Sequence, residues 1–416
     1  MFRKIKIGDL GIVVTGKTPR TDIPDNYGGD IPFLTPTDLN GEKYVLRTAQ
    51  RVSKKGALEV KKNILPPLTI CFSCIGTIGN VVLTNCETIA NQQFNSIILN
   101  KSFDPDYIYY VLRLYGKKLR DKIGNNSTVL SIISKSNFVD ILISIEDNKD
   151  KQIKIGRVLS KIDERISLNK RMIAELEAMA KQLYDYWFVQ FDFPDKNGKP
   201  YKSSGGKMVY NEIIKREIPE GWDVKLLEEI LSLLRDGTHN PPKRVESGIP
   251  LLTGTMFGNY FINHSLATYI TEVDYNNIHK QYKPQSGDII LTKIGTIGNV
   301  NYLRNKDIPL AIHCNSALLR FPSSMGKSFP LFLCKSQLFS LRLKAMKGQS
   351  VQEFVSLDKI GSVRMEIPNN ELISLFNQKV DKIFDEITNL SEEIESLSHL
   401  RDSLLPMLMN GQVTVE

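Results

Sequence analysis

The sequence predicts an α+β protein in which one α/β unit is written twice and the two copies alternate with two long helices. Three observations carry this. A seven-residue string occurs twice inside a longer repeat, two stretches of apolar residues recur with a 3.5-residue period, and short β-branched runs broken by Gly and polar turns fill the rest.

The repeat comes first. IGTIGNV stands at Ile75–Val81 and again at Ile294–Val300, a displacement of 219 residues. Ile31-Pro32-Phe33-Leu34-Thr35 returns as Ile249-Pro250-Leu251-Leu252-Thr253, displaced by 218. Asn95-Ser96 is matched to Asn315-Ser316 at 220, and Ser134 to Ser356 at 222. So small a drift over such distances predicts two homologous halves that differ by short loop insertions.

The seams come second. Ile155, Leu159, Ile162, Ile166, Asn169, Ile173, Leu176, Ala180, Leu183 and Trp187 alternate spacings of four and three. Phe376, Val380, Ile383, Ile387, Leu390, Ile394, Leu397, Arg401, Leu404 and Leu408 do the same, displaced throughout by 221. This is the a/d pattern of a coiled coil, favoured here over an amphipathic helix lying on its own body, and it predicts helices about 50 Å long. The first helix delivers the chain to the second body, while the second has no further body to reach. The pair is therefore expected to run antiparallel, with pseudo-twofold symmetry. Charge agrees, since residues 151–187 carry a net +3 and residues 369–416 a net −6. Asn169 and Arg401 interrupt the seams; each either fixes register from a buried position or snorkels to the surface.

The expected boundaries are 1–150 for the first body, 151–190 for the first helix, 191–214 for a linker, 215–368 for the second body and 369–416 for the second helix. The linker rests on the Pro, Gly, Ser and Lys content of FDFPDKNGKPYKSSGGKMVYN. Strands are expected at Leu68–Ser73, Asn80–Thr84 and Asn95–Asn100, and helices at Pro105–Lys122 and Pro330–Lys347.

Several classes of function find no support. No apolar run reaches the roughly 20 residues that span a bilayer and MFRKIKIGDL has no export signal, so the expectation is a soluble cytoplasmic chain with no membrane partner. Cys71 and Cys74 form a lone CxxC, and zinc needs four ligands, so no metal site is expected. Met325-Gly326-Lys327-Ser328 ends like a P-loop, yet Phe321 stands where the first glycine belongs. Asn240-Pro241-Pro242 is followed by Lys243 where an adenine methyltransferase needs an aromatic residue, which reads as a turn. No cofactor and no catalytic grouping are expected. The net charge of +8, with +5 on residues 1–150 and +5 on 215–368, is compatible with nucleic acid.

Further strings carry a resemblance. LYDYWF (Leu183–Phe188), QFDFP (Gln190–Pro194), SSGGKMVYNE (Ser203–Glu212), IPEGW (Ile218–Trp222), GKTP (Gly16–Pro19), IPFLTPTDL (Ile31–Leu39) and DGTH (Asp236–His239) occur in this order within the duplication. Together they resemble the specificity subunits of type I restriction-modification systems, and the resemblance covers the whole chain. It implies two target-recognition domains alternating with two conserved helices, no catalysis by the chain itself, and a bipartite duplex DNA target. It also implies docking of restriction/translocase subunits and of methyltransferase subunits, two of them by the pseudo-twofold symmetry. The specificity part of another methyltransferase-nuclease system and a standalone DNA-binding protein are the alternatives.

Recognition is expected from polar loop residues. Gly76, Thr77, Gly295 and Thr296 sit in the repeated glycine loops, which follow apolar strands; backbone approach to a phosphate and a tight turn needed for folding are equally open readings. Base reading is expected where the copies differ: Gln92 and Gln93 against Ile312 and His313, and Thr35, Thr37 and Asp38 against Thr253, Gly254 and Thr255. Lys17, Arg20, Lys293, Lys347 and Gln349 complete the candidates for DNA contact.

Overall fold

Alternating apolar residues bounded by Gly, Pro and Asn make short strands, and the computed structural model of the chain is mixed α+β. It describes residues 2–45, 47–125, 132–346 and 354–415. Two compact units divide it: Met1–Met172 with Leu390–Glu416, and Ile173–Asn389.

In the first unit, Phe2–Lys6 pairs with Leu142–Glu146. A sheet runs in the order Gly11–Thr15, Phe94–Leu99, Ile70–Ser73, Val81–Thr84, Tyr44–Val45. A second runs Gln50–Val52, Tyr27–Leu34, Thr88–Ala90, Ile64–Leu65. The second unit repeats the plan. Asp223–Leu226 pairs with Arg364–Ile367. Leu233–Asp236, Ser316–Arg320, Ile289–Thr292 and Val300–Tyr302 form one sheet, and Thr268–Ile270, Ile249–Leu252 and Ala311–Ile312 another. The three expected first-body strands are present: Ile70–Ser73 and Val81–Thr84 start two residues and one residue late, and Phe94–Leu99 is shifted one residue towards the N-terminus.

Register corrects one equivalence. Phe94 pairs with Ser73 and Ser316 with Thr292, so the return strands are displaced by 222 residues, not 220. The shared Asn-Ser dipeptide is coincidence, and Asn91-Gln92-Gln93 corresponds to His313-Cys314-Asn315. The extra three residues beyond the 219 of the glycine loop fall before the return strand, where Asn305–Asp307 forms a 3-10 turn. That turn is pinned: Asp307 accepts from Arg304 Nε at 3.0 Å and lies 2.8 Å from His264 Nε2.

The helix expected at Pro105–Lys122 runs Pro105–Asn125. Its second-body counterpart is broken into Ser328–Lys335 and Gln337–Ala345. Ser336 makes the break. Its backbone is extended (φ −65°, ψ 148°) and its hydroxyl caps the next helix by accepting from Phe339 N, the competition with helical bonding that serine offers. Lys347, the expected end, lies outside the described residues.

Lys149–Tyr184 and Asn370–Met409 are continuous helices of 36 and 40 residues, about 54 and 60 Å long. No seam position is exposed on either. In the first unit Ile155 and Leu159 share a core with Leu405, Leu408 and Met409. Asp163 Oδ1 accepts from Arg401 Nη1 at 2.7 Å, and Arg165 Nε donates to Glu393 at 2.7 Å. Neither Asn169 nor Arg401 snorkels, being 0% and 9% exposed. In the second unit Ala180, Tyr184, Trp187 and Phe188 share a core with Phe376, Val380, Phe384 and Ile387. Trp187 reaches it from a π turn at Asp185–Val189.

Residues 191–214 carry more order than their composition suggests. Phe193 stacks on Tyr201 (4.6 Å) and on Trp222 (5.6 Å), and Met208–Asn211 forms a hairpin with Arg216–Pro219. Aromatic contacts supply what a Gly- and Ser-rich segment lacks.

His279, in the second unit, is 1% exposed, between the rings of Tyr275 and Tyr282 at 5.1 and 5.0 Å. Burial pulls its pKa from 6.5 down to about 4. The folded value lies below the unfolded one, so the stability it contributes is complete above about pH 6.5 and is lost as pH falls towards 4. The thermal midpoint of the second unit is expected to fall across that window, and to fall less in His279→Phe. Equal slopes in a pH series of melting curves would count against this.

Candidate nucleic-acid interface

Strand ends bring five segments of the first body together, at Lys17, Leu34, Cys74, Ala90–Gln93 and Ile133. Lys17 N donates to Ala90 O (2.9 Å), Asn91 N to Leu34 O (3.0 Å), Cys74 N to Gln93 O (2.7 Å) and Ile133 N to Cys74 O (2.9 Å). The second body is laced the same way. Thr238 N donates to Ile312 O (2.8 Å), Lys293 N to Asn315 O (2.9 Å) and Val355 N to Lys293 O (2.9 Å). Close packing demands glycine at the same place in each, since a Cβ on Gly16 would stand 2.0 Å from Asn91 O and one on Gly237 2.3 Å from His313 O.

The repeated glycine loops are built as turns. In each, the hydroxyl at the preceding strand's end, Ser73 or Thr292, donates to the carbonyl of Thr77 or Thr296. The same hydroxyl accepts from Asn80 N (3.0 Å) or Asn299 N (2.9 Å). Gly76 and Gly79 have φ of +74° and +86°, Gly295 and Gly298 +76° and +94°, which answers the turn reading. The tips Gly76, Thr77, Gly295 and Thr296 are exposed, so the geometry also leaves room for a phosphate.

The remaining candidates separate by their partners. Thr18 Oγ1 donates to Gln92 Oε1 (2.6 Å), and Asn91 Nδ2 donates to Gln93 Oε1 (2.9 Å). Each glutamine oxygen keeps a second lone pair beside its NH2, enough for the N6/N7 edge of adenine. Lys17 is exposed beside them. Arg20 is exposed too, with its guanidinium on Asp22 at 2.7 Å, a surface pair that holds it only weakly. Asp38 is occupied, one oxygen accepting from Thr35 N (2.8 Å) and the other from Ala49 N (2.7 Å). Its counterpart at the 218-residue displacement is the buried Met256. Thr37 corresponds to Thr255, and the hydroxyl pairs Thr35/Thr37 (2.8 Å) and Thr253/Thr255 (2.9 Å) are alike, so this loop differs less between copies than the sequence comparison suggested.

In the second body Lys293 is buried, its Nζ 2.7 Å from Asp236. Asp236 also holds His239 Nε2 at 3.0 Å. Asn315 N donates to His313 Nδ1 (3.3 Å), which puts the imidazole proton on Nε2. Burial lowers the His313 pKa, the hydrogen bond with Asn315 offsets part of that, and the nearby Arg244 charge lowers it further. Lys347 and Gln349 lie outside the described residues. Residue patterns missed Thr18, Asn91, His239 and Arg244; the i, i+3 pairing of Asp236 and His239 within DGTH was the available signal.

Burial pushes the Cys71 thiol up to about 12 and the Cys74 thiol up to about 11. Among the described residues no group of three or more His, Cys, Asp or Glu is placed to hold a metal ion, and no helix is long and apolar enough to cross a membrane. Ser328 of the GKS string is buried and donates to Asp381 at 2.5 Å.

The chain is similar to known proteins over nearly its whole length. The type I restriction enzyme MjaIX specificity subunit of Methanocaldococcus jannaschii is 29% identical over 427 residues, covering 99% of this chain and 93% of that protein. The MjaVIII specificity subunit of the same organism is 22% identical over 420 residues, with the same coverage of 99% and 93%. A crystal structure of the type I restriction-modification S subunit from M. genitalium shares the fold, with a TM-score of 0.57, 19% identity and coverage of 98% of this chain and 96% of that one. The family described as type I restriction modification DNA specificity domain matches residues 2–178 and 219–399, one match for each copy of the repeat, and the chain belongs to it.

Proposed function

We propose that this chain is the DNA specificity subunit of a type I restriction-modification complex and reads a bipartite duplex target, one half with each body. The observation that carries this is the loop cluster, which keeps one backbone scaffold in both bodies and changes its polar side chains. The first body presents Lys17, Gln92 and Gln93; the second presents His239, Arg244 and His313. Phosphate contacts fall to the shared tips Gly76, Thr77, Gly295 and Thr296, which cannot carry sequence information. Methylation and cleavage belong to other subunits.

Residues 1–150 and 215–368 serve as the two recognition domains, and 191–214 as their connector. The seams at 151–190 and 369–416 pair as an antiparallel coiled coil with pseudo-twofold symmetry. The order of contacts supports this, since Asp163 and Arg165 meet Arg401 and Glu393 while Tyr184 and Trp187 meet Phe376. Restriction subunits and two methyltransferase subunits dock on the assembled chain. In the second unit the exposed Met179 and Tyr186 border a groove of about 770 Å³ with Ala178, Gln182 and Ile383. In the first unit Leu400 and Met407, displaced from that pair by 221, are exposed likewise. Repeated apolar positions on a helix suit a partner helix.

Two experiments test this reading. Gln92→Ala with Gln93→Ala, in the assembled complex, is expected to relax one half of the methylated sequence, at about 1–3 kcal/mol per lost base contact, and to leave the other half intact. Mapping of methylated sites that finds both halves altered together would sink the assignment. Met179→Glu with Leu400→Glu is expected to abolish co-purification of a co-expressed methyltransferase subunit while circular dichroism stays unchanged. Undiminished co-purification would remove the docking assignment.

A further inference from the structure

The two units differ where the helices meet the bodies. In the first unit the layer is polar and buried. Asp163 accepts from Arg401 Nη1 (2.7 Å) and from Tyr110 OH (2.6 Å), and Arg113 lies 3.5 Å away. Both side chains of the Asp163–Arg401 pair are 10% exposed. Lys43, 2.6 Å from Asp106, packs over the Tyr110 ring at 5.3 Å. In the second unit the equivalent layer is apolar. The 221-residue displacement takes Asp163 to Phe384 and Arg401 to Ala180, and 222 takes Tyr110 to Phe332. Phe384 packs on Phe261 (5.8 Å) and Tyr302 (5.1 Å), and Ala180 is fully buried. Asn169, fully buried, is related by the same 221-residue displacement to the apolar Leu390, which lies in the first unit as well.

We infer that the Asp163–Arg401 pair is a self-recognition filter, making the chain's two halves complementary to each other and each half a poor partner for its own copy. The inference rests on the antiparallel pairing proposed above. If the first helix of one chain paired with the first helix of another, the same geometry would set Asp163 opposite Ala180. Its charge would lose the Arg401 bond and keep only Tyr110 and Arg113. If second helices paired together, Arg401 would meet Phe384 and keep only the half-exposed Asp402, at 2.9 Å. Heterotypic pairing alone satisfies both groups. An uncompensated buried charge is what discriminates between partners of equal apolar fit, and a duplicated chain needs such discrimination because its two seams are otherwise alike.

The test uses the full chain. Asp163→Phe with Arg401→Ala copies the second unit's layer into the first and should release homotypic pairing. The dimeric fraction, measured by light scattering after gel filtration, is expected to rise by about tenfold or more over the wild type. Asp163→Arg with Arg401→Asp keeps the complementarity and is expected to self-associate no more than the wild type. Should the Phe/Ala variant fail to fold, Asp163→Ala with Arg401→Ala carries the same expectation with less bulk. Self-association of the neutral layer at the wild-type level overturns the inference, as does equal self-association of the neutral and reversed variants. A separate control distinguishes failure of the pairing itself: Arg165 Nε reaches Glu393 at 2.7 Å, so cysteines replacing the two should be joined within one chain by a short bis-maleimide cross-linker, and absence of the cross-linked peptide in a mass map would strike at the helix pairing rather than at the filter.

Discussion

A helix of 36 or 40 residues with an apolar stripe is stable in water only where that stripe is covered, and here each long helix is covered by more than one part of the chain. The core of the first unit takes Ile155 and Leu159 from the first helix and Leu405, Leu408 and Met409 from the chain's last stretch. The core of the second takes Ala180, Tyr184 and Trp187 together with Phe376, Val380 and Phe384. Each recognition body is therefore completed by residues remote in sequence. The candidate loops stand on sheets packed against those completed cores.

On such a support the two bodies keep one loop frame and differ in its polar side chains. Gly16 and Gly237 allow the same close backbone approach, and the Ser73 and Thr292 hydroxyls tie the same turn. Around this constant frame Gln92 and Gln93 offer an amide pattern, while His313 offers one directed donor. Rigid frames with exchangeable polar tips suit sequence reading, because a base contact discriminates only when its donor is held in place.

Much of this was legible in the residues. The duplication, the two long helices and the mixed α+β class follow from spacing alone, because hydrophobic period and repeat displacement are one-dimensional signals. What spacing could not give was register: a chance Asn-Ser match misplaced the return strand by two residues, an even shift that keeps the same face and so leaves no mark in the pattern. Nor could it give the pairing of charges. Lys293 looked like a hand for DNA, and its buried bond to Asp236 depends on a residue 57 positions away. The break at Ser336 was hidden for a different reason, since its capping of the next helix leaves the apolar spacing intact.

Each body's core is closed by residues of both long helices. Hydrogen exchange on a chain truncated after Asn389 tests it most directly. The amides of Phe94–Leu99, whose unit loses Leu405, Leu408 and Met409, should exchange much faster than in the full chain. Those of Ser316–Arg320, whose unit keeps all of its helix residues, should retain their protection. Unchanged protection of Phe94–Leu99 after the truncation would contradict it.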